Sequence, residues 1–234
     1  MTSELDLLVK RNNYLSNYIL PDNIKDSKEL MHYKGIPFMQ VYYPISMDVE
    51  LLLQEAKQFD KNYVPHRSNK ESHAGWSAVV LHGISSLHTL DCTAYGYTKD
   101  NAPMKWTDIA AMCPNILNFL NVNFPYTKFE RVRIMRLEPG GYIAPHIDGG
   151  DFDHLGPINI AINNPQNCNF FMDGYGILPF ADGTAMSLNI GSKTHFVLNN
   201  SNENRYHIIL HGSKGKKVTD MIYKSYKKIK GYNE

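Results

Sequence analysis

From Phe129 to His211 the chain breaks into short β-branched and aromatic runs separated by Gly, Pro and Asn. The runs are Val132 to Leu137, Gly141 to His146, Ile158 to Asn163, Asn169 to Asp173, Ala185 to Ile190, His195 to Leu198 and Arg205 to His211. Runs of this length, bounded by turn-forming residues, are strands rather than helices. Strands so closely spaced leave few ways to avoid exposed edges, and a barrel or jelly roll is the usual one.

The flanks read differently. Ser3 to Leu20 carries Leu7, Leu8, Leu15 and Ile19 at a loose helical spacing that Pro21 and Asp22 end, which predicts a helix docked on the outside of a sheet. Ile36 to Tyr43 and Gly75 to Ile84 have strand character, and between them Ser46 caps an amphipathic stripe of Leu51, Leu52, Ala56 and Phe59. Thr107 and Asp108 cap a helix through Met112, and Pro114 suits the first turn of another that holds Ile116, Phe119 and Leu120 on one face. Asp220 is expected to cap a terminal helix with Met221, Ile222, Ser225, Tyr226 and Ile229 inward and Lys224, Lys227, Lys228 and Lys230 outward.

Charge and cysteine content narrow the setting. A formal net charge of +1 gives no global field toward nucleic acid or an anionic membrane, so a small-molecule or peptide substrate is expected and neither nucleic acid nor membrane as a partner. No run reaches the roughly 18 to 20 apolar residues of a membrane helix, and Met1 to Asn13 holds no apolar signal core. Cys92, Cys113 and Cys168 are too few and too scattered for a disulfide framework or a zinc finger, which fits a reducing, cytoplasmic setting.

Chemistry concentrates at the end of the second β run. In Glu138-Pro139-Gly140-Gly141-Tyr142-Ile143-Ala144-Pro145-His146-Ile147-Asp148, alternation puts His146 and Asp148 on one side, where an imidazole and a carboxylate can chelate one metal. His-x-Asp alone is a weak signal, because each residue is also common at strand ends and turns. Downstream, His195 opens one run and Arg205 the next, as arms of a hairpin around Asn199 to Asn204. A second imidazole completes a two-His, one-carboxylate facial set with open positions for a cosubstrate and oxygen on non-haem iron(II). Arg205 shares a face with His207, Ile209 and His211, and a buried arginine needs a carboxylate partner. The diacid 2-oxoglutarate supplies one, with its keto-acid end on the metal and its far carboxylate paired bidentately with the guanidinium.

On these residues the stretch Val132 to His211 resembles the double-stranded β-helix core of the iron(II)/2-oxoglutarate dioxygenases, in particular the aspartyl/asparaginyl β-hydroxylases and the related prolyl and amino-acid hydroxylases. The resemblance implies a mainly β fold with flanking helices around a jelly-roll, cupin-like core. It implies one domain over 1–234, with supporting elements in 1–125, the core and metal site in 129–212, and a basic helix in 213–234. It further implies iron(II) on His146, Asp148 and His195, 2-oxoglutarate on Arg205, and O2 as oxidant. Aspartyl/asparaginyl β-hydroxylases proper tend to lack the carboxylate ligand, so Asp148 moves the chain toward the prolyl and free amino-acid hydroxylases. Related halogenases have a small residue there, so Asp148 also argues for hydroxylation. Where that family often carries basic residues that help to hold the cosubstrate, on the strand Asn159 to Asn163, this chain offers Asn159 and Asn163, so Asn159 is expected to hold it by a neutral hydrogen bond.

Further candidates are Tyr142 for the cosubstrate, by parity with His146, and Trp76, Arg136 and His207 for the substrate. Of the arginines before the metal strand, Arg131 and Arg133 share one face and Arg136 takes the other. A loop from Asp148 to His154, with three acids and two glycines, suggests a lid. The expected activity is hydroxylation of an unactivated C–H bond of an amino acid or peptidyl residue, with release of succinate and CO2. Two rivals are a non-catalytic cupin-like jelly roll with a structural metal, which has no use for an inward Arg205, and a metal enzyme that does not use 2-oxoglutarate, whose sites more usually carry all-His ligation or a general base beside the metal.

Overall fold

Strand pairing explains how the short runs become one chamber. A computed structural model describes residues 3–67, 73–148 and 155–232. The strands are β1 (Phe38–Val41), β2 (Val64–Pro65), β3 (Ala74–Gly83), β4 (Lys105–Trp106), β5 (Lys128–His146), β6 (Ile158–Asn163), β7 (Cys168–Met172), β8 (Gly176–Ile177), β9 (Ala185–Leu188), β10 (His195–Asn199) and β11 (Arg205–Ser213). The helices are α1 (Ser3–Arg11), α2 (Ser27–His32), α3 (Val49–Lys57), α4 (Asp108–Ala111), α5 (Pro114–Asn123) and α6 (Gly215–Lys230). Most of the proposed loop from Asp148 to His154 lies outside the described residues.

The two runs on either side of Pro139 are one strand. The first half of β5 lies between β3 and β11, with Val80 opposite Arg133 and Leu137 opposite Arg205. Its second half pairs instead with β10, with Ile143 opposite Val197 and His146 opposite His195. The strand therefore crosses from one antiparallel sheet, β1-β9-β6-β11-β5-β3, to a second, β5-β10-β7-β8. This is the double-stranded β-helix that the runs and the resemblance led us to expect.

The crossing needs glycine. Gly140 has φ +72°, and a Cβ on Gly141 would sit 2.8 Å from the Glu138 carbonyl oxygen and 2.9 Å from that of Ala74. Both obstacles are backbone, so neither can rotate away. Gly141→Ala is expected to lower stability by about 1–3 kcal/mol, measurable as a fall in the urea midpoint.

Alternation sorts the side chains into two cores. Ile134, Ile158, Ile160, Ile208 and Leu210 face outward and bury the apolar faces of α2 to α6 in the larger core. Met135, Leu137, Ile143, Ala161, Phe170, Met172, Met186 and Val197 face inward and line the space between the sheets. Parity is what carries this division, because successive strand residues point to opposite faces.

Several boundaries shift from the sequence expectation. α1 ends at Arg11, because the Asn12 side chain donates to the Leu8 carbonyl (2.9 Å) and accepts from the Gly174 N–H (2.9 Å), tying the chain to the second sheet. Leu15 and Ile19 lie beyond it and are exposed. Asp48, not Ser46, caps α3, accepting from Leu51 N at 3.1 Å. α6 begins at Gly215, so Asp220 is interior to it and pairs with Lys216 one turn back. Thr107 and Pro114 start α4 and α5 as expected.

Candidate metal and cosubstrate site

The antiparallel register brings the two histidines together: His195 pairs with His146 across β10 and β5, and their rings lie 4.2 Å apart. His146 Nε2 is 3.5 Å from Asp148 Oδ1, and one ligand atom from each of His146, Asp148 and His195 lies within 4.8 Å of the others. Among the described residues this is the one group of three or more such side chains that could hold a metal ion.

Backbone carbonyls fix both rings for coordination. His146 Nδ1 faces the Ala144 carbonyl oxygen at 2.7 Å, and His195 Nδ1 faces that of Lys193 at 3.1 Å. A carbonyl only accepts, so each Nδ1 carries the proton and each Nε2 presents its lone pair. Phe170 stacks on His195 at 5.8 Å, 8° between planes, and burial with the neighbouring His146 pushes the His195 pKa down to about 4. Both effects keep a neutral ligand at neutral pH. Asp148 is anchored by its own N–H, which donates to the Ile190 carbonyl at 2.9 Å. Burial pushes its carboxyl upward, but its electrostatic surroundings, His146 first and then His195 and Arg67, outweigh that and hold it below the ordinary carboxylate range.

Arg205 lies inside the barrel, 1% exposed. Its Nε donates to Asn164 Oδ1 (3.0 Å), its Nη1 to His207 Nδ1 (3.0 Å), and the guanidinium sits 5.1 Å over the Phe180 ring. No carboxylate pairs with it among the described residues, and its Nη2 has no acceptor. Burial lowers its pKa, and burial together with the Arg205 charge drives His207 well below the ordinary histidine value, so His207 is neutral. An unpaired buried guanidinium costs several kcal/mol, which an anionic ligand would offset.

The remaining candidates divide. Trp76 faces inward, edge-on to His73 at 5.3 Å, and His73 in turn meets His146 at 5.5 Å; the Trp76 Nε1 has no acceptor. Asn159 also faces inward and is buried, opposite Ile209 and Met186.

Tyr142 and Arg136 require correction. Tyr142 packs with Leu198, Phe196 and Leu5 on the outer face, under α1. The register shifts between His195 and Val197, which leaves one extra residue in β5 between Ile143 and His146 and breaks the parity that linked Tyr142 to the metal strand's inner face. Arg136 points outward, where it donates to the Asp60 carbonyl (2.7 Å), Glu138 Oε1 (2.8 Å) and Ser77 Oγ (3.2 Å) and covers Tyr63. Arg136→Gln is therefore expected to cost about 1–2 kcal/mol of stability while changing kcat/KM for 2-oxoglutarate by less than about twofold. Urea melts and steady-state kinetics check both halves.

Sequence reading missed Asn164, Phe180, His66 and His73. Alternation alone could have flagged Phe180 and Asn164 only by chance, since both lie in irregular segments outside the strands, and His66 and His73 reach the chamber from ahead of β3.

Residues 40–214 match the aspartyl/asparaginyl β-hydroxylase family model. In structure the chain is similar to a 2OG-Fe(II) oxygenase family oxidoreductase from Burkholderia pseudomallei, at 11% identity and TM-score 0.50, over 84% of this chain and 98% of that one. It is also similar to a prolyl-4-hydroxylase from Pseudomonas putida, at 15% identity and TM-score 0.45, over 81% of this chain and 97% of that one. No curated protein matches the chain by sequence. No helix among the described residues is long and apolar enough to cross a membrane. With a His-Asp-His group at the barrel mouth and a family model spanning both sheets, the chain belongs to the aspartyl/asparaginyl β-hydroxylase family of 2-oxoglutarate- and iron(II)-dependent oxygenases.

Proposed function

We propose that the protein hydroxylates an unactivated C–H bond of an amino acid or peptidyl residue and converts 2-oxoglutarate to succinate and CO2 as it does so. His146, Asp148 and His195 hold the iron(II), and Arg205 takes the far carboxylate of the cosubstrate. The observation that carries this reading is Arg205: a guanidinium fully buried in the same barrel as the triad, with an orphaned Nη2 and no carboxylate paired with it among the described residues. The family's preference for amino-acid residues supports the substrate class.

The donor set fits ferrous iron, since two neutral imidazoles and one carboxylate leave positions open and the net charge modest. When bound there, iron(II) supplies the redox chemistry that joins O2 consumption to 2-oxoglutarate decarboxylation and C–H oxidation. The protein's own part is positional. The carbonyls of Ala144 and Lys193 hold the two Nε2 atoms outward, Asp148 contributes the one negative charge, and Arg205, held by Asn164 and His207, sets how deep the diacid seats. Phe170, Phe180, Ile143 and Val197 line the chamber and keep water from it.

The test is a screen of free amino acids and end-capped peptides with iron(II), 2-oxoglutarate and air, read as succinate release and as gain of one oxygen atom in the product. Substrate-dependent succinate that disappears in His146→Ala is the expected result. Succinate release that persists in that variant would contradict the reading.

A further inference from the structure

The chamber holds a second buried guanidinium built like the first. Arg133 is 4% exposed and faces inward from β5. Its Nη1 donates to the Thr89 carbonyl oxygen (2.8 Å) and to His66 Nε2 (3.2 Å), and its Nε has no acceptor. Nε2 of His66 accepts, so His66 carries its proton on Nδ1, 3.2 Å from Thr89 Oγ1, and is neutral. Burial and the Arg133 charge drive its pKa down to about 2. Each buried arginine is thus held by a neutral histidine and an amide oxygen, and neither pairs with a carboxylate among the described residues. Arg131 adds a second positive charge beside Arg133; its Nη1 is 3.9 Å from Asp91, and its own Nε is orphaned.

The cosubstrate does not account for Arg133. Arg205 stands opposite Leu137, whereas Arg133 stands opposite Ile209, four residues farther along β11 and about 13 Å away along the strand. A five-carbon diacid seated on Arg205 has its other carboxylate on the metal. Asp91 and Asp148 are the acids whose fields reach both Arg131 and Arg133; a divalent cation would claim Asp148, and Asp91 lies on the Arg131 side, 3.9 Å from its Nη1.

The register shows where this charge sits. Val80, Arg133, Ile209, Asn159 and Met186 form one row across the first sheet. Asn159 is neutral at the strand where the resemblance leads one to expect a base. Arg133 lies in the same row two strands over, roughly 10 Å away. In this row the positive charge comes from β5, at Arg133.

We propose that Arg133, assisted by Arg131, anchors a carboxylate of the substrate, so that the protein acts on an acid: a free amino acid held by its α-carboxylate, or an aspartyl side chain in a peptide. This rests on the oxygenase reading above. Guanidinium forks match carboxylates bidentately, and the orphaned N–H groups are donors that a carboxylate satisfies and a carboxamide satisfies less well.

The test uses protein loaded with iron(II) and 2-oxoglutarate under argon, titrated by calorimetry with L-proline, L-leucine and L-aspartate, each against its α-amide. An end-capped Gly-Asp-Gly peptide is titrated against its Gly-Asn-Gly counterpart. The expected result is that at least one acid binds about tenfold or more tighter than its amide, and the arm in which this happens identifies the source of the carboxylate. Arg133→Gln should erase that preference while leaving 2-oxoglutarate affinity, read from its visible charge-transfer band, within about twofold. Arg133→Lys keeps the charge without the fork; it should retain a weakened preference, and it serves should the glutamine variant not fold. Equal binding of acid and amide, no binding of any acid in the panel, or a preference that survives in Arg133→Gln would overturn the proposal. If the wild-type charge-transfer band forms and the preference is absent, the substrate anchor alone fails; if the band itself is absent, the oxygenase reading fails with it.

Discussion

Replacing Arg205 with methionine is expected to raise the 2-oxoglutarate concentration for half-maximal turnover by roughly 30-fold or more, with little loss of stability in the ligand-free protein. Truncating one partner of a buried, hydrogen-bonded charge pair costs about 2–5 kcal/mol of binding, and each 1.4 kcal/mol is about a factor of ten. The stability half follows from the same burial. Without ligand, Arg205 is a charge with no carboxylate partner among the described residues and one unsatisfied N–H, so an apolar side chain of similar length removes a desolvation penalty. Against that gain, Asn164 Oδ1 and His207 Nδ1 each lose a donor. Thermal melts separate the effects: 2-oxoglutarate at 100 times its wild-type dissociation constant stabilises wild type by about 2.7 kcal/mol, and Arg205→Met, binding about 30-fold more weakly, should keep about 0.9 kcal/mol or less of that increment. A variant that keeps the full increment would place the diacid elsewhere.

His195→Ala is expected to be the more severe change. Altering a group that merely orients a metal ligand costs about 10- to 100-fold in affinity or activity, and losing the ligand itself should exceed that range. Succinate release should fall below detection, and iron(II) should be lost on gel filtration that wild type survives. Folding should persist, because His195 hydrogen-bonds to backbone only locally, at Lys193, and the β10 ladder to β5 and β7 does not depend on the ring. Circular dichroism and the urea midpoint check that the loss is chemical.

The strand runs were legible because they rest on local rules, alternation and turn residues, and the candidate group of His146, Asp148 and His195 was legible from His-x-Asp at a strand end together with the resemblance that pointed to the distal histidine. Ile158 to Asn163 matches β6 residue for residue. What failed did so where tertiary pairing overrides local pattern. Val132 to Leu137 and Gly141 to His146 read as separate strands, since Pro139, Gly140 and Gly141 between them look like a turn; they are a corner within β5 because β3 pairs with β5 on both sides of it, at Leu137 and at Tyr142. One extra residue before His146 then inverted the expected side for Tyr142. Among the arginines, parity divided Arg131 and Arg133 from Arg136, but which set faced inward depended on the pairing of β5 with β11, and the substrate assignment to Arg136 took the wrong face. His66 and Thr89, which hold Arg133, are 67 and 44 residues from it and carry no local signal. β8 is two residues long, Gly176 and Ile177, too short for any periodicity.

His146, Asp148, His195 and Arg205 are expected to form one iron and 2-oxoglutarate site, and anaerobic addition of iron(II) and then 2-oxoglutarate to the purified protein checks this. A weak visible charge-transfer band is predicted for wild type, absent in His195→Ala and requiring far more 2-oxoglutarate in Arg205→Met. A folded wild-type protein that gives no band, or a band unchanged in both variants, would contradict it.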